Sequence, residues 1–384
     1  MLYFILYLVI ALQFMRVPEA KFVAQTIDNN ISIGYGLALG DVDGDGKPDI
    51  LLADKKQFVW YRNGDWKKFV MAENLTEHDN VCIAARDING DGKVEVAVGA
   101  QWNPSETSDS AQSGSVHYLI RPADPTQKWT AVELPHVPTI HRMKWARSSE
   151  GKYYLLVLPL HGQGNQNGTG EGVKMLAFEF PQDVHGEWTL YPLQTSMHMT
   201  HNFLIVEDEG HPSTLYLAGK EGVWSVREDF NNMERFAGMA HPAGELKIGR
   251  LDAERKFFTT IEPMHGEQLL VYPKMGDSTG IVLDDQMKEG HALAVADFLG
   301  LSYDQIVAGW RIPNKDGKVG IKIWVKKDNS GRSWQSSWID ENGMACEDIQ
   351  VMDLDGDGKP DIVASGRATK NLKIYWNKSA GPKP

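Results

Sequence analysis

The chain has 384 residues, of which 42% are hydrophobic and 23% charged, and its net charge at pH 7 is −12. This composition is that of a globular protein with a sizeable core. The acidic balance argues against nucleic acid as a partner, because phosphate binding requires a basic face. The two cysteines, Cys82 and Cys346, lie in apolar strand patterns. We expect both to be buried small hydrophobes, with no disulfide framework holding the fold.

The first segment of the chain, MLYFILYLVIALQFMRVPEA, contains an apolar run from Leu2 to Met15. The run is short for a membrane span but has the length of a signal-peptide core, although no positive residue precedes it. We therefore expect residues 1–20 to be a signal peptide and the protein to be exported to the periplasm or the extracellular space. No other segment is apolar enough over a sufficient length to predict a membrane span in the mature protein.

An acidic segment recurs three times along the chain, as DVDGDGKPD at 41–49, DINGDGKVE at 87–95 and DLDGDGKPD at 353–361. An apolar strand precedes each copy and a second apolar strand follows it. Further strands with aromatic residues come next, and the whole unit has about fifty residues. Four short strands at this period predict the blade of a β-propeller.

Degenerate copies of this unit fill the middle of the chain, with first strands predicted in TIHRMKWAR, THNFLIVED, GELKIGRLD and GHALAVADF. With the three clear copies they predict an all-β, seven-bladed propeller with almost no helix, forming a single domain over residues 21–384. The last unit ends after LKIYWNK without a fourth strand, whereas FVAQTIDN near the N-terminus has no blade of its own. We therefore expect the strand near Phe22–Ile27 to complete the last blade and close the ring.

The DxDGDG-type loops predict structural calcium sites. Oxygen ligands at positions one, three, five and nine suit a hard cation, and the glycines permit the tight turn. The spacing differs from that of an EF-hand, which has its bidentate Glu at position twelve. The alternative is a turn without metal. The predicted calcium ligands are Asp41, Asp43, Asp45, Asp49, Asp87, Asn89, Asp91, Glu95, Asp353, Asp355, Asp357 and Asp361.

Propeller geometry also predicts which residues converge at a functional site. The first strand of each blade lines the central channel, so the first-strand starts and the turns from second to third strand lie on the face away from the acidic loops. The strand starts are Tyr35, His78 or Asn80, His141, His201, Glu245, His291 and Glu347. The turns hold Lys55, Trp102, His161, Lys220, Glu221, His265, Trp310, Arg311 and Arg367.

This concentration of large polar groups predicts a ligand-binding or active site in one funnel. A single histidine at a strand start is more often a surface residue, and a tryptophan after a strand is more often a packing residue, but here most blades agree. His117, His136, His185 and His211 fall on outer strands or loops and are assigned no role. The candidate catalytic residues are His141, His201, His265, His291 and Glu347. The candidate substrate-binding residues are Trp102, His161, Lys220, Glu221, Trp310, Arg311 and Arg367.

Histidine and carboxylate side chains on converging strands favour zinc or another divalent metal. His141, His201, His265 and Glu347 form the candidate zinc set, although the sequence does not show which of them converge. Trp102 and Trp310 would offer flat apolar faces to a sugar, and Arg311 and Arg367 would offer forked hydrogen-bond donors. The combination predicts a carbohydrate site.

The repeats resemble those of FG-GAP/VCBS-repeat propellers over essentially the whole chain after the signal. Within that group, THNFLIVED, GKEGVW, IEPMHGEQLLVY and GHALAVADF resemble the propeller domain of aldos-2-ulose dehydratases. This second resemblance implies a carbon–oxygen lyase that eliminates water from a keto- or anhydro-sugar, with a sugar or glycan-derived molecule as its partner. The alternative is a non-catalytic propeller that binds glycans or proteins. The sequence leaves the oligomeric state open.

Overall fold

A computed structural model describes residues 19–165, 167–207, 213–227, 233–236, 238–274 and 276–381. The predicted signal peptide, residues 1–20, therefore lies outside the described residues except for its last two positions. The described residues form seven antiparallel sheets of four strands each and contain no helix, in agreement with the predicted propeller. Among the described residues, no helix is long and apolar enough to cross a membrane.

Each sheet is one blade, and its strands run in order from the inside of the ring to the outside. The inner strands are β2 (Gly36–Gly40), β6 (Cys82–Arg86), β10 (Ile140–Arg147), β14 (Thr200–Val206), β18 (Glu245–Arg250), β22 (Gly290–Ala296) and β26 (Cys346–Met352). The second strands are β3 (Asp49–Ala53), β7 (Glu95–Ala100), β11 (Tyr153–Pro159), β15 (Thr214–Gly219), β19 (Lys256–Glu262), β23 (Gln305–Trp310) and β27 (Asp361–Gly366). The third strands are β4 (Gln57–Tyr61), β8 (Ser115–Ile120), β12 (Lys174–Glu179), β16 (Gly222–Arg227), β20 (Gln268–Tyr272), β24 (Gly320–Lys326) and β28 (Asn371–Asn377). The outer strands are β5 (Lys68–Glu73), β9 (Thr130–Leu134), β13 (Leu190–Gln194), β17 (Met233–Arg235), β21 (Ile281–Asp284), β25 (Trp334–Glu341) and β1 (Phe22–Asp28).

The ring is closed by the first strand of the chain, as predicted. The last blade has the order β1-β28-β27-β26, so its outer strand comes from the N-terminal end. β1 pairs with β28 in an antiparallel register that places Phe22 opposite Asn377. The inner strand of every blade contacts that of the next, and β26 contacts β2. The inner strands therefore surround one axis.

The hydrophobic core lies between neighbouring blades. Phe58 and Trp60 of the first blade are fully buried and belong to the same cluster as Val96 and Val98 of the second. Both faces of a second strand are covered by adjacent blades, which is why β3, with the sequence DILLA, is buried at every position. Both cysteines are buried and free, as expected.

The three acidic segments form tight hairpins between an inner and a second strand. The carboxylate of Asp41 accepts hydrogen bonds from the amides of Gly44 and Gly46, at 2.6 and 2.7 Å. Asp87 and Asp353 hold their own loops in the same way. Gly44 and Gly46 have φ angles of 83° and 82°, which residues with a side chain rarely adopt. The glycines of the repeat are thus required by the backbone of the turn.

The carboxylate at position nine of each loop is already engaged by the protein. Asp49 is fully buried and accepts hydrogen bonds from the amides of Val42 and Asn63, at 2.8 and 2.7 Å. Asp361 contacts the amides of Leu354 and Asn377 in the same arrangement. These carboxylates therefore connect the hairpin to the third strand of the blade, whether or not a cation is present. Their assignment as calcium ligands stays a prediction.

Closure by β1 can be tested with two substitutions on that strand. Phe22 packs against the cluster of the last two blades and contacts the ring of Phe298, at 6.0 Å between centroids. Phe22→Ala should lower the free energy of unfolding by about 2 kcal/mol, less than for a fully buried phenylalanine. Val23 is 48% exposed, so Val23→Ala is the control and should change stability by less than about 0.5 kcal/mol. Denaturant titration measures both, and equal effects would contradict a packed closing strand.

Candidate functional site

Four predicted site residues occupy the same irregularity at the start of an inner strand. In β10, Ile140 pairs with Pro159 and Arg142 pairs with Leu158, so His141 between them has no partner in the ladder. The same one-residue bulge occurs in three other blades and contains His201, His291 and Glu347. A β-bulge re-aims a side chain and is common beside active sites. Here it directs these four side chains towards one mouth of the ring.

The histidines form one cluster around His201. The ring centroid of His201 lies 4.9 Å from that of His141, 4.5 Å from that of His265 and 5.1 Å from that of His291. His265 comes from the turn between β19 and β20, where it has a φ of 51°. The structure therefore brings together the four predicted catalytic histidines from the third to the sixth blade.

Backbone carbonyls of the neighbouring blade fix the orientation of three of these rings. Nδ1 of His141 lies 2.9 Å from the carbonyl oxygen of His201, and Nδ1 of His201 lies 2.9 Å from that of Gly244. Nδ1 of His291 lies 2.5 Å from the carbonyl oxygen of Glu347. A carbonyl only accepts, so each Nδ1 must carry the proton and donate it. Each Nε2 is thereby left with a lone pair.

The surroundings lower the pKa of three of the four histidines. Burial, followed by the nearby Arg142, holds the pKa of His141 well below its ordinary value. Burial, followed by Arg311, does the same for His291. The pKa of His265 is also lowered, first by desolvation and then by the neighbouring His201 and Arg311. Neutral imidazole is the form that binds a metal ion or accepts a proton.

Three of the histidines offer a donor set that fits a divalent metal. One nitrogen each of His201, His265 and His291 lies within 4.8 Å of the others. Nε2 of His201 and Nε2 of His265 are 2.6 Å apart, whereas two ligands on a tetrahedral zinc with bonds of 2.0–2.1 Å are separated by roughly 3.3 Å. The two rings would thus move apart slightly around an ion. Without one, a single proton joins the two nitrogens.

This triad differs from the candidate zinc set, which contained His141 and Glu347 but not His291. The Nε2 lone pair of His141 accepts a hydrogen bond from Nη1 of Arg142, at 3.1 Å. The carboxylate of Glu347, which is 2% exposed, lies between Arg311 and Arg367 at 3.4 and 3.2 Å. Both groups are therefore paired with arginine, and His291 is the third member of the triad in their place.

The two tryptophans assigned to substrate binding have different surroundings. Trp102 stacks on the ring of His141, with centroids 5.0 Å apart and planes at 21°. The assignment of Trp310 to sugar stacking is wrong, because this side chain is 1% exposed and packs between blades against Trp338. Its indole N–H donates to the carbonyl of Lys318. Trp310 is the last residue of β23. Its side chain points to the face of the sheet that packs in the core, and not to the mouth.

Three other predicted substrate-binding residues have their described contacts outside the histidine cluster. Lys220 donates to the carbonyl of Asn167 at 3.1 Å, and Glu221 contacts His198 at 3.0 Å. His161 is half-buried and forms a β-bridge with Met199. These residues belong to the third and fourth blades. Arg311 and Arg367, in contrast, lie beside the cluster through Glu347.

Sequence reasoning missed two charged residues at this mouth. Arg142 contacts His141, and Glu289 pairs with Nη2 of Arg311 at 2.8 Å. Glu245, a predicted strand start without an assigned role, has its Oε1 3.2 Å from Nδ1 of His201. Arg142 could have been found as a charged residue directly after a strand-start histidine. No pattern around Glu289 marks it as a partner of Arg311.

Comparison with known proteins identifies the repeats. The FG-GAP-like repeat family matches residues 41–98, and the FG-GAP repeat family matches residues 83–119. The chain carries FG-GAP repeats on a seven-bladed propeller. Among curated proteins it is similar to an aldos-2-ulose dehydratase of Phanerodontia chrysosporium, with 26% identity over 271 residues. That alignment covers 65% of this chain but only 29% of the dehydratase.

Solved structures with the same fold are more distant in sequence. A chain of the mitotic checkpoint complex matches with a TM-score of 0.59 and 11% identity, over 97% of this chain and 94% of that one. The exotype rhamnogalacturonan lyase YesX matches with a TM-score of 0.54 and 12% identity, over 96% of this chain and 76% of that one. These likenesses establish the propeller fold.

The arrangement around Glu347 predicts unequal effects on stability. Glu347→Ala should lower the free energy of unfolding by about 2 kcal/mol, because Arg311 loses a buried carboxylate partner. The loss is limited because Glu289 still pairs with Arg311. The side chain of Arg367 is 40% exposed, so Arg367→Ala should cost less than about 1 kcal/mol. Chemical denaturation of both single variants and the double variant measures the coupling. A larger loss for Arg367→Ala would contradict this arrangement.

Proposed function

We propose that the protein is a carbohydrate lyase that eliminates water from a keto- or anhydro-sugar at the histidine cluster. The observation that carries this proposal is the set of imidazoles whose Nδ1 atoms are held by carbonyls of the next blade, which leaves each Nε2 facing the mouth. Such a set is prepared to bind a metal and to accept a proton. The similarity to an aldos-2-ulose dehydratase supports the same reaction class.

His201, His265 and His291 would hold the metal, since their nitrogens converge. A bound zinc or similar ion would act as a Lewis acid on the ketone oxygen and make the adjacent C–H more acidic. Glu245 lies beside Nδ1 of His201 and strengthens the basicity of that ring. Its own pKa is lowered despite the opposing effect of burial, because it contacts His201.

Arg367 and Arg311 would orient the sugar. Arg367 is partly exposed and its contact with Glu347 uses Nη1, which leaves further N–H groups for substrate oxygens. Arg311 is held by Glu347 and Glu289, and its buried Nε has no partner among the described residues. Glu347 thus positions both guanidinium groups. Trp102, stacked on His141, would offer the sugar an apolar wall next to that histidine.

His141 is the candidate base. Its Nδ1–H is fixed by the carbonyl of His201, so its Nε2 would accept the proton from the carbon next to the carbonyl. The electron pair of that C–H bond forms the C=C bond as the β-C–O bond breaks. The departing hydroxide takes a proton, from the imidazolium or from solvent, and leaves as water. Arg142 must first release Nε2 of His141, with which it now shares a hydrogen bond.

That hydrogen bond also favours the second candidate function, a glycan- or protein-binding propeller without catalysis. If Arg142 keeps Nε2 of His141 occupied, and Arg311 keeps its two carboxylates, the mouth would recognise a ligand without transferring a proton. The two functions differ in a measurable way, since only the lyase forms an unsaturated product.

His201→Ala tests the lyase at its central residue. The purified protein should contain zinc or another transition metal by elemental analysis and should convert a member of a keto-sugar panel to an enone, detected by ultraviolet absorbance. His201→Ala should lose the metal and lower turnover by about 10²-fold or more. His117→Ala is the control, because His117 is buried on β8, in the third strand of the second blade, and should leave both properties unchanged.

Full metal content and full turnover in His201→Ala would disprove the assignment of this cluster. Sugar binding by the wild type without any enone, over the whole panel, would favour the binding propeller.

We further propose that the acidic hairpins bind calcium on the opposite face of the ring. Oxygens of Asp41, Asp43 and Asp45 lie within 4.8 Å of one another, as do those of Asp353, Asp355 and Asp357. Crowded carboxylates with backbone carbonyls nearby are the ligands that calcium prefers. The ion would neutralise the hairpin and add to the hydrogen bonds that already hold the loop.

Calcium should therefore raise the melting temperature, and a chelator should lower it. At a hundredfold excess over Kd, one site contributes about 2.7 kcal/mol of stabilisation. Asp45→Asn keeps the oxygen that accepts the Lys47 amide but removes the charge, and should reduce the calcium effect. Asp252→Asn is the control, because Asp252 occupies a hairpin on the fifth blade where Arg255 supplies the cation. An equal melting temperature with calcium and with chelator would contradict the proposal.

A further inference from the structure

The inner strands enclose a channel of about 240 Å³ that continues inwards from the histidine mouth. A single water needs only about 10–15 Å³ by this measure, so the channel has room for a small hydrated ligand. Its wall includes a set of charged and polar side chains from the third, fourth, fifth and seventh blades: Arg142, Lys144, Asn202, Glu245, Lys247, Asp348 and Gln350. The function proposed above uses only the residues at the outer end.

The register of the inner strands sorts this wall into two levels. Arg142, Asn202 and Asp348 each directly follow the bulged residue at a strand start, and Glu245 is itself the start of β18. The two carboxylates of this level accept hydrogen bonds from the protein. Glu245 accepts one from the side-chain amide of Asn202 at 2.7 Å, and Asp348 accepts one from the backbone amide of Leu37 at 2.8 Å. Arg142 donates to His141. The first level is therefore a mixed layer with both signs of charge.

The second level is cationic. Lys144 pairs with Leu156, Lys247 with Thr259 and Gln350 with Val363, two residues further along their strands. At about 3.3 Å per residue, this level lies roughly 6–7 Å deeper. Among the described residues, neither lysine forms an ion pair with a carboxylate. Two half-buried ammonium groups and one amide thus face the same cavity.

We propose that this level binds a small oxyanion, either inorganic phosphate or the carboxylate of a sugar acid, between Lys144, Lys247 and Gln350. Two like charges in a confined channel repel each other and are poorly solvated, and an anion between them relieves both costs. Gln350 adds a neutral N–H donor. The proposal does not depend on the lyase activity, since it concerns binding at a separate level of the channel.

The titration of Lys144 agrees with this placement. Desolvation, followed by the charge of Lys247, lowers the pKa of Lys144 to about 8. Its ammonium lies 5.6 Å from the ring centroid of Phe203, which covers one side of the group without neutralising it. The charges of Glu245 and Asp348 oppose this lowering of the Lys144 pKa without cancelling it, and an anion beside Lys144 would add to their effect.

Isothermal titration of the purified full chain with inorganic phosphate, at low ionic strength, tests the site. Wild type should bind phosphate saturably, and Lys144→Met or Lys247→Met should each weaken the affinity about tenfold or more, because each removes a charge-assisted hydrogen bond. Methionine keeps the length and apolar stem of lysine. Lys327→Met is the control, because Lys327 is exposed beyond the end of β24, and it should bind as wild type does.

Two further measurements distinguish phosphate from a sugar acid as the ligand and show whether the variants are folded. Tighter binding of glucuronate than of phosphate, with no binding of glucose, would identify a sugar acid; binding of phosphate alone would identify the free anion. Lys144→Arg should retain binding, and the melting temperature of Lys144→Met without phosphate should not fall, since an uncompensated charge is removed. Absence of saturable binding of either anion to wild type, or equal affinity in the two methionine variants and wild type, would overturn the proposal.

Discussion

The pairing of β1 with β28 is the constraint on which the rest of the molecule depends. It supplies the missing outer strand of the last blade and removes the open edge that an unclosed propeller would leave. In a closed ring, all inner strands run in the same sense along the axis. Their starts must then meet at one mouth, and their hairpins must meet at the other. The histidine cluster and the acidic loops are two results of this one topology.

The bulges at the strand starts tie the site to the fold, because both their side chains and their backbone carbonyls take part in it. A bulge residue lies outside the ladder register, so its carbonyl needs another donor. The carbonyl of His201 receives the Nδ1 proton of His141 from the previous blade, and the carbonyl of Glu347 receives that of His291. The same extra residue therefore projects one functional side chain and orients the histidine of its neighbour. Adjacent blades are joined by the groups that form the site.

The fold and the mouth could be predicted because they follow from repetition. The three copies of the acidic hairpin specify a blade, the orphan strand near Phe22 specifies closure, and strand starts then fall on one face. Finer contacts depend on information that a repeat does not contain. For example, Nε2 of His141 is not free, because Arg142, the next residue of the same strand, donates a hydrogen bond to it. Whether Trp310 faces a ligand or the core is decided by the side of the sheet on which it lies.

The distribution of charge gives the ring a polarity that the net value of −12 conceals. The clustered aspartates of the hairpins lie on one face. At the opposite mouth, the carboxylates of Glu347 and Glu289 are paired with arginine, and burial lowers the pKa of His141, His265 and His291. Lys144 and Lys247 then line the channel, and among the residues that the structure describes neither forms an ion pair with a carboxylate. Narrow, low-dielectric channels focus the field of their lining charges. The proposed calcium and oxyanion sites follow this polarity: the hairpin carboxylates would attract cations, and the two lysines would attract an anion into the channel.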